Sequence, residues 1–129
     1  MHILVTDDKS QIRESLTRFL TQQGHTVQTA LNGLDGLGKS QLENFDLHII
    51  DHLMPVMTGL QLCKNLKNLQ STANTPIFFM TTQAIGTVNE QEESELFSLL
   101  LAKPIDEELL LKGLIQLDKS NKHLSCLAS

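Results

Sequence analysis

Tryptophan and tyrosine are absent from this 129-residue chain, and five phenylalanines are its whole aromatic complement. Intrinsic tryptophan fluorescence therefore cannot follow its folding or binding. Cysteine is scarce, with only Cys63 and Cys126. A chain of this length buries roughly two-thirds of its unfolded surface, enough for a core without staples. The pair thus points to a reducing compartment rather than a disulfide framework. Positive charge is also short: ten Lys and Arg stand against fifteen Asp and Glu, for a formal net charge of −5. That argues against a sequence-independent nucleic-acid binder, which needs a basic face. No apolar run approaches the ~20 residues of a membrane-spanning helix. Met1 leads directly into His2-Ile3-Leu4-Val5 and then acids, without the basic segment or cleavage site of a signal peptide. The expectation is a soluble, cytoplasmic single domain.

What the chain does have is a regular alternation of short apolar runs with amphipathic stretches. Ile3-Leu4-Val5, Leu47-His48-Ile49-Ile50, Ile77-Phe78-Phe79-Met80 and Leu99-Leu100-Leu101-Ala102 read as buried strands, and His25 to Ala30 as an edge strand. Between them, Ile12, Leu16, Phe19 and Leu20 mark one face of a helix over 10–23, closed by Gly24. Weaker helical signal covers 33–43, where Gly33, Gly36 and Gly38 dilute it. Leu62, Cys63, Leu66 and Leu69 line a third helix. Thr87 and Glu90 have the spacing of a capping box opening an acidic fourth. Asp106-Glu107-Glu108 opens the last, with Leu110, Leu114 and Leu117 on one face. After Asp118 a polar tail is expected over 119–129.

Five strands joined by helices in strict alternation imply an α/β fold, a parallel sheet covered on both faces. Sheets of this kind place their site beyond the carboxyl ends of the strands. There stand Asp7 and Asp8, Asp51, Thr81 and Thr82, and Lys103, each directly after an apolar run. With strand order 2-1-3-4-5, the first and third strands are neighbours and three carboxylates converge. Close carboxylates repel, so either one keeps its proton or a cation sits between them. Oxygen-only ligands suit Mg²⁺. A hydroxyl from Thr81 and an ammonium from Lys103 complete a cradle for a phosphoryl dianion, with Asp51 as the natural nucleophile.

Each residue has a plainer reading. Asp8 before a helix reads as an N-cap, Thr81 as a strand residue with a local turn bond, and Lys103 as a solvated lysine. Their falling together at successive strand ends favours the phosphate site. The five histidines share no metal-ligand spacing and read as structural or surface residues. His52, beside Asp51, is the one general base close to the site. The three glycines at 33–38 do not form a phosphate-binding loop, because no apolar strand runs directly into them in the required pattern.

The ordered set VTDD at 5–8, IIDHLMPVMTG at 49–59, PIFFMTT at 76–82 and AKP at 102–104 resembles the receiver domain of two-component response regulators over roughly residues 2–118. The resemblance implies a three-layer, flavodoxin-like (βα)5 sandwich over 1–118, with 119–129 as tail or linker. It implies that Asp51 accepts a phosphoryl group from a phosphohistidine on a sensor histidine kinase or histidine phosphotransfer protein. Asp7, Asp8, Asp51 and the Leu53 backbone carbonyl would hold Mg²⁺, while Thr81 and Lys103 would bind phosphoryl oxygens. A downstream protein target or fused output domain would read the altered surface. Direct nucleic-acid and membrane contacts are not expected. Slow self-hydrolysis of the aspartyl phosphate is, with Leu53 and Gln83 as the positions that set its rate.

The chain departs from the family pattern in three places. Leu100 stands where an aromatic switch residue is usual, and Thr82 where a small alanine is usual. Leu96-Phe97 replaces a Gly-Ala pair. These departures keep a second reading open, a constitutive docking module that no longer accepts phosphate. A small Mg²⁺-dependent phosphohydrolase is a third.

Overall fold

The apolar runs pair side by side, all in one direction. In the computed structural model, which describes residues 1–82 and 96–128, the strands are β1 (His2–Thr6), β2 (Thr26–Ala30), β3 (Leu47–Asp51), β4 (Ile77–Thr81) and β5 (Leu99–Ala102). They form one parallel sheet in the order β2-β1-β3-β4-β5. β3 and β4 are buried at all positions, as strands covered on both faces must be. β2, at the edge, buries only Ala30 fully.

Successive strand residues point to opposite faces, and the core divides accordingly. On one side Ile3, Val5, Ile49, Phe78 and Met80 pack against Leu16 and Leu20 of α1 (Ser10–Gln22). Leu110 and Leu114 of the C-terminal helix (Glu107–Ala128) complete that layer. On the other side Ile50, Ile77 and Phe79 meet Leu62, Cys63 and Leu66 of α3 (Gly59–Asn68). α2 (Gly33–Leu42) lies beside α3. There Gly36 is packed so closely on the Thr6 side chain that a Cβ would collide with it.

Local chemistry sets the helix ends. Gly24 takes φ +90°, and the amides of Gly24 and His25 close back onto the carbonyls of Thr21 and Leu20, sealing α1. The Asn32 side chain caps α2 at the Asp35 amide. Thr58 and Gln61 form a reciprocal capping box on α3.

Two expectations require correction. The C-terminal helix does not stop near 118 but runs to Ala128. No glycine or proline interrupts the chain after Gly113, and lysine, leucine and alanine favour continuation. Nor does Asp8 cap α1: Lys9 holds that position, with no side-chain cap. The acidic fourth helix, with its capping box at Thr87, and Gln83 lie outside the described residues.

The register positions the site. Thr6 pairs with Ile50, Asp51 with Met80, and Thr81 with Ala102. The residues that follow β1 and β5 therefore flank the last residues of β3 and β4, along the carboxyl-terminal edge of the sheet where the strands end.

Candidate functional site

At that edge one carboxylate oxygen from each of Asp7, Asp8 and Asp51 lies within 4.8 Å of the others. Asp7 and Asp51 are buried, whereas Asp8 opens to solvent with Lys9 Nζ 3.6 Å away. One backbone and one side-chain donor fix Asp7 from two directions. Its Oδ1 accepts from the Lys9 amide at 2.9 Å, and its carbonyl accepts from Arg13 Nη1 at 2.7 Å.

Lys103 reaches in from the end of β5 with a side chain only 7% exposed. Its Nζ lies 2.9 Å from Asp7 Oδ2 and 2.8 Å from Asp51 Oδ1. It is not a solvated lysine. Burial works against its charge, but the hydrogen bonds to Asp51 and Asp7 outweigh that and raise its pKa above the ordinary value. Asp51 is held in the opposite tension. Burial pushes its carboxyl upward, the Lys103 hydrogen bond pulls it down, and the Asp7 charge adds to the rise; the net shift is upward.

The Asp51 Oδ2 atom is buried and has no hydrogen-bond partner. A buried carboxylate oxygen without a donor is costly. Three converging carboxylates, one with a vacant acceptor, are a donor set suited to a hard divalent cation. The residues present thus fit Mg²⁺.

Thr81, at the end of β4, is fully buried, and its Oγ1 lies 2.9 Å from Nδ1 of the buried His52. Thr81 is thus joined to a side chain 29 positions away in the sequence. Sequence reasoning placed His52 near the site but missed this partnership. Leu53 follows in the loop after β3 with its side chain half exposed, and Thr82 is exposed. Leu100 and Phe97 are partly buried against the α3-side core, where Phe97 stacks on Phe79 at 4.5 Å between ring centroids.

Gly59 is a further site residue that sequence reasoning passed over. Its amide donates to the His52 carbonyl at 2.8 Å, and a Cβ there would run into the Asp51 carbonyl oxygen. The first turn of α3 is thus packed directly on the backbone that carries Asp51. The sequence signal was its place beside Thr58, the α3 N-cap.

Residues 3–115 match the family model of the response regulator receiver domain. The chain belongs to the response regulator receiver family. Protein PilH of Pseudomonas aeruginosa is 34% identical over 110 residues, covering 85% of this chain and 91% of PilH. Response regulator ArlR of Staphylococcus aureus is 33% identical over 82 residues, 64% of this chain but only 36% of ArlR. Among solved structures, chemotaxis protein CheY4 of Vibrio cholerae superposes with a TM-score of 0.83 at 33% identity, over 90% of this chain and 97% of that one. Response regulator TrrA of Thermotoga maritima, solved with Mg²⁺ and beryllofluoride, gives 0.81 at 28% identity over the same shares. Receiver domains are the phosphoryl-accepting partners of histidine kinases in two-component signalling and generally hold Mg²⁺ in an acidic pocket. The Asp7–Asp8–Asp51 cluster is the acidic pocket of this receiver. Among the described residues no helix is long and apolar enough to cross a membrane.

Proposed function

We propose that this receiver accepts a phosphoryl group on Asp51 from a phosphohistidine of a kinase or phosphotransfer protein, and that the phosphorylated state changes the surface it offers to a protein target. The observation that carries the reading is the buried Asp51 carboxylate, gripped by Lys103 through Oδ1 while Oδ2 stays unpaired beside Asp7 and Asp8. In the transfer an Asp51 oxygen forms the new bond to phosphorus. The phosphorus–nitrogen bond breaks, and the departing imidazole nitrogen keeps the electron pair. Asp7, Asp8, Asp51 and the Leu53 carbonyl would hold Mg²⁺, which when bound neutralises charge on the phosphoryl oxygens. Lys103, freed from one carboxylate by the transfer, pairs with a phosphoryl oxygen, and the Thr81 hydroxyl donates to another. The relative TrrA has been solved in complex with the histidine kinase ThkA, which supports a kinase as the donor. Residues 1–118 would carry this function in the cytoplasm, with 119–128 extending the last helix beyond it.

Incubation with Mg²⁺ and phosphoramidate, a small phosphorus–nitrogen donor, tests the reading. Intact mass should rise by one phosphoryl group in the wild type and stay unchanged in Asp51→Asn. No gain in the wild type would favour a constitutive docking module. Repeated turnover of phosphomonoesters would favour a phosphohydrolase.

A further inference from the structure

Thr81 and His52 are joined where a receiver would need the threonine hydroxyl for another purpose. Both side chains are buried, at 0% and 5% exposure, and the Oγ1–Nδ1 distance is 2.9 Å. The imidazole is itself fixed. Its backbone amide donates to the Met80 carbonyl, its carbonyl accepts from Gly59, and its ring lies 5.1 Å from that of Phe79. Phe79 in turn is clamped by Phe97. A ring held this firmly fixes the atom that it offers to Thr81.

We propose that His52 is a positioning residue for Thr81: its Nδ1 accepts the Thr81 hydroxyl proton in the resting protein and competes for it with a phosphoryl oxygen on Asp51. This rests on the phosphoacceptor reading above. A hydroxyl has one proton to donate. While His52 holds it, a phosphoryl oxygen gains Thr81 only by breaking an existing buried bond. His52 therefore restrains the phosphorylated state, by the worth of about one neutral hydrogen bond, roughly three- to tenfold in affinity.

His52→Phe keeps a ring against Phe79 and removes the acceptor. Titration with beryllofluoride in saturating Mg²⁺, followed by amide NMR, should show three- to tenfold tighter binding in His52→Phe than in wild type. In a Thr81→Val background the same substitution should change nothing. Unchanged affinity in His52→Phe, or an equal gain in the Thr81→Val background, would overturn the proposal while leaving the phosphoacceptor reading intact. A wild type that does not bind beryllofluoride would remove both. Nitrogen-15 NMR of wild-type His52 needs no variant. Nδ1 should resonate as an unprotonated nitrogen at rest and shift on addition of Mg²⁺ and beryllofluoride; a protonated Nδ1 at rest would overturn the proposal.

Discussion

Lys103 and Asp7, 96 positions apart in the chain, meet at 2.9 Å, and the same ammonium reaches Asp51 at 2.8 Å. One cation thus holds two buried carboxylates that would otherwise repel each other. Lys103→Met should cost stability on the order of 3 kcal/mol, because it leaves buried charge unpaired. It should also bind Mg²⁺ more tightly than the wild type, because a competing positive charge is gone. Urea unfolding with and without Mg²⁺, read by circular dichroism, should show Mg²⁺ stabilising the variant more than the wild type. Equal stabilisation would mean that the lysine and the cation do not share these carboxylates.

Gly59 and Gly38 should respond oppositely to alanine. A Cβ at Gly59 would collide with the Asp51 carbonyl, so Gly59→Ala must move either α3 or the end of β3. It should destabilise by about 2 kcal/mol or more and weaken Mg²⁺ binding. Gly38, in α2, has open space around it. There alanine should stabilise by about 0.5–1 kcal/mol through helix propensity. Thermal unfolding of the two variants checks the contrast.

His48 makes the fold sensitive to acid. Burial, with a smaller push from the Lys67 charge, lowers its pKa from 6.5 to about 4. The unfolded chain therefore binds a proton at a pH where the native protein does not. Stability from this residue is complete above pH 6.5 and is lost as pH falls toward 4, by about 3 kcal/mol at the lower end. His48→Leu should flatten that part of the pH–stability curve measured by urea unfolding. An unchanged slope would assign the acid sensitivity to the carboxylates instead.

The strands were legible because the apolar runs are short, continuous and bounded by acids or proline. Ile77–Thr81 and Leu47–Asp51 each extend just one residue beyond the run that announced them. The site was legible because a parallel sheet aligns its carboxyl ends, so Asp7, Asp51, Thr81 and Lys103 had to lie near one another once the order was set. Side-chain partnerships were not. Nothing along the chain says that the His52 ring turns toward Thr81 rather than toward solvent, since that depends on Phe79 beneath it. The packing of Gly59 on the Asp51 carbonyl likewise exists only after α3 docks. The tail was misread because polarity was taken for fraying, whereas helix continuation needs only residues that do not break it.

The phosphoacceptor assignment is tested most directly by trapping the modified residue. After incubation with Mg²⁺ and a small phosphodonor, borohydride reduces an aspartyl phosphate to homoserine, which peptide mass mapping locates. Homoserine at position 51, and nowhere else, is the predicted result. Homoserine at Asp7 or Asp8, or none under conditions where the protein binds Mg²⁺, would contradict it.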